Sequence, residues 1–195
     1  MDNAGERVGT MMDAILPNMD MPKELEPTER MNVILPNGST ITLPVCQPFF
    51  PAWNGSPIGF DYGSKPVLDH NGEPCFAELV ILRLLIEHGW DGVWVETYGG
   101  THFLRTMPRE WNLESEHVLI PVDKERLLKT IWKAAKTSAC FDVFVWRGDQ
   151  VLFCEAKRVG KDRFTAAQVH FIEGALACGI PQESLIVVEW SEAVA

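Results

Sequence analysis

The chain has 195 residues, 46% hydrophobic and 23% charged, with a formal net charge of −10. These values are close to those of an ordinary soluble protein, and the length suits one domain plus an extension. No apolar run approaches the roughly 18 to 20 residues of a membrane-spanning helix, so no membrane contact is expected.

The opening Met1-Asp2-Asn3-Ala4-Gly5-Glu6 lacks the basic and apolar regions of a secretory signal. Cysteines stand at 46, 75, 140, 154 and 178, with no Cys-x-x-Cys pair. An odd, scattered set in apolar surroundings predicts reduced, buried thiols in a cytoplasmic protein and no zinc site. The charge is unevenly placed. Residues 1–75 hold 10 acids against 4 bases, whereas residues 124–163 hold 10 bases against 5 acids. A local basic sector in an acidic protein can meet a phosphate backbone, although a solvated face has the same composition.

Two segments are expected, an extension over 1–74 and a compact domain over 75–195. In the first, Val8, Met11, Met12, Ile15 and Leu16 space a short amphipathic helix. "NVILPNGSTITLPV" predicts a β-hairpin, with two β-branched runs around Pro36-Asn37-Gly38-Ser39. The stretch from there to Pro74 is read as ordered loop, because Phe49, Phe50, Trp53, Phe60 and Tyr62 are costly to leave in water.

After Pro74, "CFAELVILRLLIEHG" predicts an apolar helix closed by Gly89, and "DGVWVETY" a strand. Residues 98–120 form an irregular insert. "DKERLLKTIWKAAKTS" has helical spacing behind an Asp123 cap, and "ACFDVFVWRGDQVLFCEAK" is two strands joined at Arg147-Gly148-Asp149-Gln150. "TAAQVHFIEGALACG" is a helix capped by Thr165, and "SLIVVEW" a last strand. The fold class is therefore α/β, a mixed sheet flanked by helices.

Chemistry concentrates in the second hairpin. Asp142 lies in "CFDVFVW", where a lone carboxylate costs several kcal/mol unless paired or bound to a cation. The turn position places Glu155 near it on the partner strand, and two close acids repel unless a divalent cation joins them. Magnesium suits such a site, because it takes one or two carboxylates and keeps waters for a substrate. Lys157, two residues along from Glu155, shares its face and can reach a phosphate oxygen.

Asp142 followed by Glu155-Ala156-Lys157 resembles the signature of the PD-(D/E)XK nuclease superfamily. The helix and strand order over 76–190 can be laid on that superfamily's restriction-endonuclease-like αβββαβ core. Gln168 and Glu78 match positions of the Holliday-junction resolvase-like and VRR-NUC branches, and "AKRVGKDRFTAAQ" is most similar to the latter. The extra helix at 124–137, and Phe141 where the superfamily's name has a proline, depart from the pattern.

The resemblance implies a magnesium-dependent deoxyribonuclease, with manganese as a substitute metal, hydrolysing phosphodiesters with metal-activated water. Asp142, Glu155 and the backbone carbonyl of Ala156 would hold the metal, with Glu78 assisting. Lys157 would position the water, and Gln168 would orient Lys157 or a phosphate. Arg158, Lys161 and Arg163 are the candidate phosphate contacts, DNA the partner, and a homodimer a further possibility. Competing readings remain: a structural ion pair in a catalytically silent binding module, or an RNA-cleaving relative. Glu96 reads as a strand-end acid facing solvent, Trp53 and Trp111 as base-stacking candidates, and no histidine completes a hydrolase triad.

Overall fold

The computed structural model describes residues 20–97 and 100–193. The helix expected at 8–16 lies outside them. Ten strands and three α-helices follow in chain order: β1 (Glu29–Ile34), β2 (Thr40–Cys46), β3 (Phe49–Pro51), β4 (Leu68–His70), β5 (Glu73–Cys75), α1 (Ala77–Glu87), β6 (Asp91–Glu96), β7 (His102–Leu104), α2 (Val122–Ala135), β8 (Val143–Arg147), β9 (Gln150–Arg158), α3 (Ala166–Ala177) and β10 (Leu185–Ala193).

The main sheet runs β1-β2-β10-β9-β8-β6-β7, with β3 beside the end of β10, while β4 and β5 form a separate hairpin. Strand β8 runs antiparallel to both of its neighbours, β6 and β9, and β10 joins β9 in parallel. The fold is thus α/β with a mixed sheet. The predicted hairpin at 32–45 is β1–β2, with Gly38 in the left-handed region at φ 84°. It extends the same sheet, because β2 pairs with β10 in parallel through Val45 and Cys46.

The central strands read as nearly continuous apolar runs because helices cover both faces. In β8, Val143 and Val145 pack on the α1 side, with Leu79, Leu82 and Leu85. Phe144 and Trp146 alternate to the other side, against Phe171 of α3 and Leu128 of α2. Helices α2 and α3 approach closely at Gly174, where a Cβ would come within 2.5 Å of the Ala135 Cβ.

Three local expectations are corrected. The stretch from the first hairpin to Pro74 is not all loop, since β3 pairs with β10 and β4 with β5, partners that no local window contains or that are too short to carry a periodic signal. The insert at 98–120 is not wholly irregular, since β7 pairs with β6 through His102, Phe103 and Leu104. Helix α2 begins behind Pro121 rather than on an Asp123 cap. Pro121, at φ −54°, sets the start, and Asp123 lies in the first turn with its carboxylate 3.0 Å from Lys124 Nζ. The cysteines are free thiols, buried except for half-buried Cys178. Among the described residues, no helix is long and apolar enough to cross a membrane.

Candidate functional site

The β8–β9 register determines where the acids meet. Val143 faces Cys154, so the next pair outward is Asp142 and Glu155, whose side chains share a face. Asp142 sits just before β8. Its backbone carbonyl accepts from the Val95 N–H at 2.7 Å, and its Oδ2 accepts from the Ala156 N–H at 2.9 Å. The chain therefore locks this carboxylate to the Glu-x-Lys strand through the backbone of the intervening residue.

Glu155 is 1% exposed, and its two oxygens differ. Oε1 accepts from Lys157 Nζ at 2.8 Å and from the amide of Gln168, whereas Oε2 has no hydrogen-bond partner. Burial pushes Glu155 up to about 7, against the pull of Lys157. Asp142 is held well above the ordinary carboxylate range by loss of solvent and by the neighbouring charges of Glu155 and Glu78. Around neutral pH the metal-free pair therefore tends to retain a proton, and its ionisations belong to the pair.

Gln168 ties the strand to α3. Its Oε1 accepts from Lys157 Nζ at 3.1 Å and from the Thr165 N–H at 2.9 Å, while its amide donates to Glu155. The Thr165 hydroxyl in turn accepts from the Gln168 N–H, completing a capping box. Gln168 is therefore not a bystander on the helix surface. The cap that starts α3 also points its amide at the Glu155–Lys157 pair.

Glu78, in the first turn of α1, approaches from the other side of the sheet. It makes an ion pair with Lys65, with Nζ and Oε1 2.7 Å apart. Lys65 was not anticipated. Burial would lower its pKa, but Glu78, with Asp142 and Glu96 behind it, outweighs that and raises it. Glu96 is half-buried and contributes to this electrostatic cluster instead of simply facing solvent. The one available signal was that Lys65 is the only base between Arg30 and Arg83, set among aromatic residues in "FDYGSKP".

The segment that delivers Lys65 is strained. Tyr62, Gly63 and Ser64 all have left-handed backbone, at φ 50°, 79° and 66°, closed by a bond from the Lys65 N–H to the Asp61 carbonyl. For Tyr62 and Ser64 this costs about 1 kcal/mol or more each. The ring of Tyr62 is buried, packing against Phe76 and Trp94, and that packing holds the segment in place.

A cleft of about 490 Å³ opens between this strap, the first turn of α1 and the end of β9. Of the three expected phosphate contacts, Lys161 and Arg163 are exposed. Arg158 is already engaged, with its guanidinium 2.6 Å from Glu192 and over the Trp190 ring. Trp111 packs edge-on to Phe60 and tilted on Tyr62.

Among the described residues, no three or more His, Cys, Asp or Glu side chains form a metal-binding group. A cation here would rest on two carboxylates, with the Ala156 carbonyl and waters completing its shell. Magnesium accepts that donor set, and the buried Glu155 Oε2, with no hydrogen-bond donor on it, stands beside a second carboxyl of raised pKa. No protein-family model, curated protein or solved structure matches this chain.

Proposed function

We propose that the protein is a magnesium-dependent nuclease of the PD-(D/E)XK kind, hydrolysing phosphodiester bonds in DNA. The observation that carries this reading is the convergence of Asp142, Glu155, Lys157 and Gln168 at one end of the sheet, with a buried Glu155 oxygen left unpartnered. The element order supports it too. With β7 and α2 taken as an insertion between β6 and β8, helix α1, strands β6, β8 and β9, helix α3 and parallel β10 follow the αβββαβ order of a restriction-endonuclease-like core.

Asp142, Glu155 and the Ala156 carbonyl would hold the magnesium, or manganese in its place, with Glu78 close by. The bound ion supplies positive charge for the phosphate and an activated water. Lys157 is restrained by Glu155 and Gln168, so its remaining donor capacity is directed without a large ordering cost. It can donate to a phosphate oxygen and stabilise the charge that develops there. Gln168 is a positioning residue, holding Lys157 through its Oε1 and Glu155 through its amide. Exposed Lys161 and Arg163 lie where a phosphate backbone can meet them.

One observation favours a second reading, a catalytically silent binding module. Lys157 pairs with Glu155 and Lys65 with Glu78, so two of the three acids have internal cations. Calorimetric titration of magnesium and manganese into wild type and Asp142→Asn separates the two. Cleavage of single-stranded, duplex and branched DNA, and of RNA, is followed in parallel. Metal binding and cleavage lost together in the variant support the nuclease, and the nucleic acid cut identifies its substrate. A wild type that binds neither metal sinks it in favour of the module.

A further inference from the structure

We infer that Lys65 is a phosphate-binding residue of the proposed nuclease site, gripping a backbone phosphate of a nucleic-acid strand in the cleft that Glu78, Ala156 and Lys161 also line. This rests on the nuclease reading and adds a contact contributed by the segment preceding the αβββαβ core.

Three features carry it. First, the ammonium is fixed: Nζ is 2.7 Å from Glu78 and lies over the rings of Trp94, Tyr62 and Phe76, at 4.9, 5.4 and 5.7 Å. Such an aromatic cage attracts a cation and limits its wandering. Second, Lys65 lines the cleft together with Lys161, and its side chain keeps 32% exposure. An ammonium has three donors, and Glu78 occupies one, so others remain for an anion entering from the cleft. Third, the backbone leading to it is left-handed at three successive residues, two of them not glycine. A plain counter-ion for Glu78 could come from a relaxed loop. Strain held by packing is characteristic of a side chain whose position matters.

The geometry also distinguishes Lys65 from Lys157. Lys157 faces α3 and is held by Gln168, whereas Lys65 comes over α1, on the opposite side of the sheet's edge. Two ammonium groups approaching the Asp142 region from opposite faces can hold successive oxygens of one strand. Arg158, tied to Glu192, is the weaker candidate for this role.

The test measures binding alone, in the Asp142→Asn background to prevent cleavage, in metal-free buffer. Affinity for a labelled single-stranded oligonucleotide is followed against salt for this parent and for added Lys65→Met, Lys65→Arg or Lys65→Met with Glu78→Gln. Thermal unfolding of each variant confirms that it is folded. Loss of one phosphate contact should reduce the slope of log affinity against log salt by about 0.7 for a single strand. The expected result is that reduction in both Lys65→Met variants, with the same loss for unrelated sequences, and a parental slope in Lys65→Arg.

An unchanged slope in Lys65→Met, with DNA still bound, would make Lys65 a counter-ion only and leave the nuclease reading intact. A slope restored by the added Glu78→Gln would assign the loss to an uncovered carboxylate and overturn the proposal. A parent that binds no DNA at low salt overturns this inference, whereas the nuclease reading stands or falls on the metal titration and cleavage of wild type.

Discussion

Replacing Asp142 by asparagine should stabilise the metal-free protein at alkaline pH, although it removes a residue assigned to the site. Folding raises the Glu155 pKa from 4.5 to about 7 and holds Asp142 well above its ordinary value, with burial the largest cause in each case. An acid raised in this way costs little below its unfolded pKa and most above its folded one. The metal-free fold should therefore lose stability as pH rises from 4.5 to about 7 for Glu155, and over a range reaching higher for Asp142.

At about 1.4 kcal/mol per unit, the Glu155 shift alone corresponds to about 3 kcal/mol at pH 8.5. Asparagine keeps an oxygen for the Ala156 N–H and removes Asp142's own buried charge, whose loss of solvent is the largest cause of its raised pKa, so the variant should gain roughly 1–3 kcal/mol on wild type while the Glu155 cost stays in both proteins. For a chain of this size each kcal/mol moves Tm by about 2–4 °C. The assay is thermal or urea unfolding of both proteins in chelator at pH 5 and pH 8.5. The variant should gain on wild type between the two pH values, and magnesium should then stabilise wild type selectively. An Asp142→Asn protein less stable than wild type at pH 8.5 in chelator would refute the reasoning, because Asp142 would then be a satisfied anion.

Two substitutions at Gln168 separate its roles. Gln168→Glu keeps the capping-box residue type but sets a carboxylate against Glu155, whereas Gln168→Ala keeps the Thr165 cap but removes the reciprocal half of the box and the bridge, and should cost about 1 kcal/mol of stability. Both should reduce kcat by roughly 10–100-fold in the cleavage assay, and wild-type kcat in either would remove Gln168 from the mechanism. Gly174→Ala should destabilise by about 1–3 kcal/mol in urea unfolding despite alanine's better helix propensity. The new Cβ meets the Ala135 Cβ at 2.5 Å and its backbone N at 2.7 Å, and a variant at least as stable as wild type would show that α2 and α3 can separate there.

Local pattern was sufficient for much of this protein. Apolar runs bounded by glycine and proline marked α1, β8–β9 and β10, because the strands are covered on both faces and α1 buries most of its surface, so the signal is strong over a few residues. The two-residue turn at Gly148–Asp149 set the register that brings Asp142 opposite Glu155. The Glu155-Ala156-Lys157 spacing placed acid and ammonium on one face. The start of α3 was legible from Thr165; the contact of Gln168 with Lys157 was expected only through the family resemblance, and its bond to Glu155 was not expected.

Tertiary structure decided what depends on distant segments meeting. Short strands such as β7 carry too few residues for a periodic signal and exist because β6 offers an edge. That β2 adds to the sheet beside β10, parallel to it, is a pairing across about 140 residues which no local window contains. Lys65 belongs to this class. Its role arises from a left-handed turn at 62–64, stabilised by rings that come together only in the folded core, which carries one ammonium across the N-terminus of α1 to the acids. Sequence spacing reports neighbours along a strand or helix, whereas the chemistry of an acid cluster depends on which cations the fold brings within a few ångströms.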